Sequence, residues 1–534
     1  MERFQGASRL FLLLTACLTG ALVMAVEVLG ARVIAPFFGV SLFVWTALIA
    51  VTLLALSIGY VIGGRWADRT NSPVLLFQLI AVAGVLLLGV PFAKAAVLQG
   101  VQPLGLRWGA LVGATVLFGP PLFLLGCVSP WLVRLAAREW DSLGRTVGLL
   151  YAISTAGSVA GTLAAGYYFV SAWGLERSFL VIGFMLLLLS ATYFVIFRGR
   201  LLAALLPLLA LGVAFVPAAD KRAVLADGTV ATVVDSRDSL YGRVQVVEYK
   251  GAGGHIREML IDGLVQGGID VASGQSVYEY PYLLEHLAVA ANPTGKRCLV
   301  VGLGPGVLPQ RLALRGIACD AVDIDPAVVS MARLHFGLSP EQQVHLQDAR
   351  YFMATAQADY DIIVLDVFAG DTTPGHLLTR EALTLVRKRL APGGVLAINL
   401  IGSLGAEQRV TASVMRTLAT VFPWVQVYPL FVPAAGEGSG NIALLAGTGQ
   451  PLKELPPLDL SGVHPMAREV LQRAWTQQFV WQERGEGLLL TDDFNPIDVL
   501  DLHLKETVRK RILETTPAEI LLSRKGSVLG DTNS

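Results

Sequence analysis

Five residues, Gly302-Leu-Gly304-Pro-Gly306, leave the chain around them few folds to choose from. They follow an apolar run at 298–301 that reads as a buried strand, and they precede a helical pattern at 307–315. A second strand pattern at 318–322 comes next and ends in Asp323-Ile-Asp325-Pro326. Strand, glycine turn, helix, strand and an acid about twenty positions on is the βαβ arrangement that holds a nucleoside. The glycines let the backbone turn tightly and approach a ligand, and the acid can accept hydrogen bonds from ribose hydroxyls. Gly302, Gly304, Gly306 and Asp323 are therefore candidate nucleoside-binding residues.

Three further parts extend the pattern. Leu346-Gln-Asp348-Ala349 stands where a third strand would end. Tyr360–Leu365 reads as a buried strand and runs into Asp366-Val-Phe-Ala-Gly-Asp371. Leu390-Ala-Pro-Gly-Gly394 is a turn that launches another strand over 395–400. This series resembles the class I S-adenosylmethionine-type transferase fold. A dinucleotide-binding domain has the same turn, but nothing in the sequence looks like a nicotinamide-side hydride site.

The rest of the chain is a different material. Of 534 residues 54% are hydrophobic and only 15% charged, and the mean hydropathy is +0.59. The excess lies before residue 217, in long apolar runs, whereas the sequence after Lys221 reads as an ordinary soluble domain. This predicts a multi-span α-helical membrane domain at 1–220, a β-hairpin region at 221–292, and a doubly wound, Rossmann-like α/β domain with a carboxy-terminal extension at 293–534. Lys plus Arg and Asp plus Glu number 41 each, so no polyanion partner is implied, nucleic acid included. The four cysteines, Cys17, Cys127, Cys298 and Cys319, have no metal-ligand spacing and are expected to be buried and reduced; no metal is expected.

A bilayer span takes about 20 apolar residues. The stretches 10–34, 42–62, 74–90, 111–132, 147–170, 179–196 and 201–216 approach that length, which predicts seven spans in contact with membrane lipid. Arg3, Arg9, Arg65, Arg69, Arg134, Arg138, Arg145, Arg198 and Arg200 cluster in the amino-terminal tail and alternate loops, which assigns that face to the cytoplasm. Arg32, Lys94, Arg107 and Arg177 fall on the other. Seven crossings taken literally put the soluble half outside, whereas a nucleoside made in the cytoplasm puts it inside. The expectation is a multi-pass protein of the cell membrane with its soluble half in the cytoplasm. Glu27 is an acid deep in a span, which points either to a functional role in the membrane half or to a structural pairing within the helices, with Arg32 reaching for the interface; the pairing is expected. Small residues from Ser154 to Gly166 at helical spacing predict close helix packing.

Between 227 and 292 the pattern changes to short alternating stretches: a strand at 241–248, a turn from Gly251 to Gly254, a partner strand at 257–261, then Asp262-Gly-Leu-Val-Gln266 and an apolar helix at 277–290. A small β-region carrying Leu-Ile-Asp-Gly-Leu-Val-Gln in front of such a domain resembles the polyamine aminopropyltransferases, or spermidine synthases, over roughly 239–445. With the apolar half in front, the chain is similar to the membrane-fused spermidine synthase-like proteins. The resemblance implies transfer of an aminopropyl group from decarboxylated S-adenosylmethionine, a co-substrate and not a prosthetic group, to a diamine such as putrescine, with release of methylthioadenosine. It also implies a homodimer. By the same resemblance Asp366 is the catalytic carboxylate, Asp323 holds the ribose, Asp348 with Ala349 reads the adenine, Gln266 faces the nucleoside and Tyr280 contacts substrate.

The sequence also departs from that family. The acid its members carry within the glycine turn is Pro305 here, their Tyr-His is Tyr280-Pro281, and their second substrate acid falls at Ala369, so that Asp371, the next carboxylate, is the candidate for catalysis and substrate contact, with a simple Asp-Thr-Thr-Pro turn as the alternative. Leu490-Thr-Asp492-Asp493-Phe-Asn495-Pro496 resembles a motif of the membrane-fused group, and Asp492 and Asp493 are candidates for polyamine contact or for capping the helix that follows. Without an acid in the turn its free N–H groups can accept a carboxylate, as ordinary S-adenosylmethionine carries. An S-adenosylmethionine-dependent methyltransferase acting on a small or lipid amine is therefore the rival enzyme. A polyamine transporter or sensor with a nucleoside-binding regulatory domain is the alternative outside enzymology.

Overall fold

The computed structural model describes residues 7–39, 42–70, 72–136, 143–214, 222–368, 374–405, 408–432, 438–476, 479–482, 485 and 487–522. They form two compact units. One holds the chain up to Lys221 with the loop Asp238–Gly242 and the end from Leu521; the other holds Arg222–Arg237 and Arg243–Ile520.

The first unit is helical. Five continuous stretches among the described residues are long and apolar enough to cross a membrane: Arg9–Phe38, Phe43–Thr70, Pro73–Ala136, Leu143–Phe169 and Ala172–Arg198. The third, 64 residues long, is not one rod. It turns at Gly105, and Gly113 comes to face Leu98 and Val101, so Pro73–Val101 and Gly105–Gly126 are the arms of a hairpin. The small-residue series does pack closely. A Cβ on Gly157 would lie 2.0 Å from the Cys17 carbonyl oxygen and one on Gly161 2.1 Å from that of Ala21, while Ser158 Oγ donates to the Gly20 carbonyl at 3.1 Å. Only glycine lets the two backbones come that near.

Two expectations for this unit need correction. The stretch 201–216 is not a seventh long helix: it is a 3₁₀ turn, Leu201–Leu205, and a short helix, Leu208–Ala214, with residues 215 and 216 outside the described ones. Pro207 lacks the N–H that would carry the first piece into the second. The short helix folds back on the neighbouring helices, with Ala210 packed against Leu88 and Leu187. Nor does Glu27 find a structural partner: it is half-buried and takes no hydrogen bond from the described residues, and Arg32 donates to the Leu240 carbonyl instead. Lys94 and Glu176 do form an ion pair, at 2.8 Å.

The second unit opens with a five-stranded sheet in sequence order, β1 (Arg222–Val224), β2 (Val230–Asp238), β3 (Arg243–Gly251), β4 (Gly254–Ile261) and β5 (Leu264–Asp270). The expected hairpin is β3–β4, closed where Gly251 pairs with Gly254. Asp262 and Gly263, both at positive φ, make the tight turn from β4 to β5 that an Asp-Gly pair favours. The carboxy-terminal helices clasp this sheet. Arg509 donates to the Asp262 carbonyl at 2.9 Å, Gln245 donates to that of Ile520 at 3.1 Å, and Ile520 joins Val247 and Leu260 in a buried cluster.

The larger sheet has seven strands: β6 (Arg297–Val301), β7 (Ala318–Asp323), β8 (Val344–Leu346), β9 (Tyr360–Leu365), β10 (Leu390–Ser403), β11 (Trp424–Pro429) and β12 (Ser439–Gly447). Their order is β8-β7-β6-β9-β10-β12-β11, and β12 runs against its two neighbours. Alternate residues of the central strands feed two cores, as a sheet covered on both faces requires. Leu299, Val301, Ile363, Leu365 and Leu396 pack on the side of helices Arg380–Arg389 and Arg409–Val421. Cys298, Val300, Ile362, Val364 and Ala397 pack on the side of helices Tyr280–Ala291, Val307–Leu314 and Pro465–Thr476. This is the Rossmann-like, methyltransferase-type α/β architecture.

Candidate active site

In an open sheet of this kind the ligand crevice lies at the carboxyl ends of the strands, where the strand order reverses. Here that point is β6, which has β7 on one side and β9 on the other. The turn leaving β6 is pinned from both. Gly302 N–H donates to the Val322 carbonyl at 2.9 Å, and Asp366 N–H donates to that of Val301 at 2.8 Å. Gly302 has φ +88°, and a Cβ on it would lie 2.1 Å from the Asp366 carbonyl oxygen. The glycine is there because a second backbone occupies the space of a side chain.

Asp323, at the end of β7, holds the turn from below. One carboxylate oxygen accepts Leu303 N–H at 2.9 Å and the other Asp325 N–H at 2.8 Å. Burial pushes its carboxyl up to about 6, against the pull of those N–H groups. A carboxylate with one acceptor site used on each oxygen still has sites for two hydroxyls. Substituting Asp323→Asn puts an NH₂ against one of the two N–H groups, so one donor is left without an acceptor. We expect affinity for methylthioadenosine to fall about 10- to 100-fold, read by titration calorimetry on detergent-purified protein; unchanged affinity would remove Asp323 from the site.

Asp366 follows β9 directly. Asn399 Nδ2 donates to its Oδ1 at 2.8 Å, and Asn441 Nδ2 in turn donates to Asn399 Oδ1 at 2.9 Å. Burial pushes the Asp366 carboxyl up to about 6, and the Asn399 amide works the other way. Tyr280 stands beside it, its phenol pushed well up by burial and then by the Asp366 and Glu279 carboxylates. Tyr280 OH donates to the Gln266 carbonyl at 2.9 Å. Gly267, the next residue, faces Tyr280 OH and the ring of Pro305. The structure thus brings Gly302, Gly304, Pro305, Gln266, Tyr280 and Asp366 around one crevice. Reading the sequence missed Asn399 and Asn441; a polar residue in the apolar run 395–401 was the available signal for the first.

The other candidates are placed differently. Asp348 caps the helix Ala349–Thr355, accepting Tyr351 N–H at 2.9 Å, with His376 Nε2 3.9 Å from its outer oxygen. Asp371 lies outside the described residues. Asp492 is engaged by both its oxygens with the Arg350 guanidinium and accepts Thr379 Oγ1 at 2.8 Å; Arg350 foremost holds its carboxyl below the usual range. Asp493 is exposed. Neither acid caps the helix that follows: Asn495 accepts Ile497 N–H at 3.3 Å and donates to the Gly375 carbonyl at 2.8 Å. The four cysteines are free, and no cluster of three or more His, Cys, Asp or Glu able to hold a metal occurs among the described residues.

The family model for the spermine/spermidine synthase domain matches residues 278–452. The polyamine aminopropyltransferase of Vibrio vulnificus (strain CMCP6) is 32% identical over 236 residues, which are 41% of this chain and 75% of that protein. An N-terminal histidine N-methyltransferase of Emericella nidulans is 35% identical over 139 residues, 25% of each chain. The crystal structure of a probable spermidine synthase from Corynebacterium glutamicum ATCC 13032 aligns with a TM-score of 0.37 and 22% identity over 41% of this chain and 81% of that one. With three quarters of the Vibrio protein's length matched at 32% identity and the family domain lying across the crevice just described, this chain belongs to the spermine/spermidine synthase family of polyamine aminopropyltransferases.

Proposed function

We propose that the soluble unit transfers the aminopropyl group of decarboxylated S-adenosylmethionine to a diamine such as putrescine. The attacking nitrogen arrives as an ammonium and first gives one proton to Asp366. It then bonds to the carbon beside the sulfonium, from the side opposite sulfur, as the C–S bond breaks. The electron pair of that bond goes to sulfur, which leaves neutral methylthioadenosine, and one proton is released overall. The sulfonium is already a good leaving group, so alignment and proton removal are what the protein must add. The observation that carries this reading is the Asp366 carboxylate, set against the glycine turn with an amide on one oxygen and no hydrogen bond from the described residues on the other. Gly302, Gly304, Gly306, Asp323, Asp348 with Ala349, and Gln266 hold the nucleoside. Tyr280 and Asp371 belong to the amine side, Asp493 draws a cationic amine towards the crevice, and Asp492 serves by fixing Arg350.

Pro305 favours a methyltransferase as the second reading, because the turn then carries no acid to repel the carboxylate of ordinary S-adenosylmethionine. Glu27, which takes no hydrogen bond from the described residues, favours the transporter or sensor. We place the helical unit in the cell membrane as a multi-pass anchor and the soluble unit, as a homodimer, on the cytoplasmic side where a nucleoside donor is made. The opposite side is favoured by the way the Leu201–Gly212 segment turns back along the helices before it. Product analysis on detergent-purified protein, given each donor separately with mixed diamines, tests the chemistry. Methylthioadenosine made only from the decarboxylated donor is expected. S-adenosylhomocysteine from the intact donor would make the chain a methyltransferase, and nucleoside binding without turnover would favour the sensor.

A further inference from the structure

Three neighbouring strands each deliver one polar side chain to the crevice edge of the larger sheet. Leu365 of β9 pairs with Ile398 of β10, so Asp366 and Asn399 are the next residues along two parallel strands. Asn399 pairs with Ala443 of β12 and Ile401 with Asn441, which makes Asn399 and Asn441 diagonal neighbours on one face. Their side chains join into a directed series. Asn441 Nδ2 donates to Asn399 Oδ1 at 2.9 Å, and Asn399 Nδ2 donates to Asp366 Oδ1 at 2.8 Å.

An asparagine amide can usually rotate by half a turn at little cost. Here rotation would set Asn399 Oδ1 against the Asp366 carboxylate and its NH₂ against the NH₂ of Asn441, two repulsions in place of two hydrogen bonds. Asn441 therefore reinforces which end of Asn399 meets the acid, although it does not touch the acid itself. Asn399 is fully enclosed, so water does not compete for either bond. We propose that Asn399 and Asn441 are positioning residues for the transfer, acting in series to hold one oxygen of Asp366 so that the other is aimed at the amine. The proposal rests on Asp366 being the base assigned above.

A donor on one oxygen stabilises the carboxylate more than the acid, so the series also tunes where Asp366 takes up its proton. The titratable groups facing it among the described residues are Tyr280 and, behind it, Glu279; Asp323 meets the same glycine turn at Leu303. None of these changes when the asparagines do.

The test uses the full chain in detergent. In Asn399→Ala, kcat/KM for the amine should fall about 10- to 100-fold and the acid limb of its pH profile should move up by about one unit. Asn441→Leu, which leaves Asp366 and its direct partner in place, should produce the same shift at about half the size. Affinity for methylthioadenosine should stay as in the parent protein in both. An acid limb that stays put in the two variants, or losses confined to nucleoside binding, would overturn the proposal. Infrared titration supplies a readout without turnover: the carboxylic C=O band lost in Asp366→Asn should titrate at higher pH in both variants. A chain that makes no methylthioadenosine at all would defeat the assigned reaction, yet the infrared midpoint would still decide whether the asparagines govern Asp366.

Discussion

Replacing Asp366 with asparagine lowers kcat by about 100- to 1,000-fold, the usual scale for losing a positioned proton acceptor, while nucleoside affinity stays within about twofold. The side chain keeps its shape and can still accept from Asn399, so the loss isolates proton removal from packing. The pH dependence has a definite sign. With its carboxyl raised to about 6 by burial, Asp366 is ionised above that value and protonated below it, so kcat/KM in the parent protein falls as pH drops through about 6. The variant loses that part of the profile, and what remains near the same pH belongs to Asp323 and is read as weakened nucleoside binding. Stability moves the other way. A carboxyl whose folded value is raised makes the folded state hold its proton longer than the unfolded chain between about 4 and 6, so folding stability declines as pH rises through that window. At pH 7 the asparagine variant should melt at or above the parent temperature. Methylthioadenosine formation within tenfold of the parent would sink the assignment of Asp366 as base.

The second large effect is expected at Gly302→Ala, a change of one methyl group. The new Cβ would sit 2.1 Å from the Asp366 carbonyl oxygen at a φ of +88°, so the β6 turn and the start of the segment after β9 cannot both stay where they are. A left-handed alanine alone costs about 1–2 kcal/mol, and displacing a hydrogen-bonded backbone adds to it, so a loss of at least about 3 kcal/mol is expected. Both halves of the crevice share that contact. Donor affinity and turnover should therefore drop together, each by at least about tenfold, unlike the split expected for Asp366. Thermal unfolding with and without methylthioadenosine reads the first effect and calorimetry the second; a variant that melts and binds as the parent does would show that the turn is not where the backbones meet.

How far these residues could be read from the sequence depends on whether their partners are local. Tyr360–Leu365 is a strand with the limits its apolar run suggested, and the glycine turn, Asp323 and the β3–β4 hairpin follow from signals within a few residues of one another. The first two strands of the smaller sheet are not legible, because Arg222–Val224 has only three residues and the second half of Val230–Asp238 carries Asp235, Arg237 and Asp238, which mask its apolar start. Asn399 and Asn441 lie 42 positions apart and meet only through the strand order, which no local pattern encodes. Asp492 looked available in sequence, but its partner Arg350 is 142 positions away. The stretch 201–216 is apolar enough for one helix, and only Pro207, between Leu201–Leu205 and Leu208–Ala214, signals the break.

The contact of Gly157 and Gly161 with Cys17 and Ala21 has a consequence for how the protein is made. Ser158 and Gly20 are 138 residues apart, so the partner of the first helix emerges long after that helix does. At about 5–20 residues per second, the first helix waits roughly 7 to 30 s beside the insertion machinery or in lipid before its mate arrives. During that interval the backbone at Cys17, Gly20 and Ala21 lacks the helix that packs against it. The amino-terminal helix thus spends a long part of synthesis without its helical mate, and a chaperoning lipid or insertase contact would matter there.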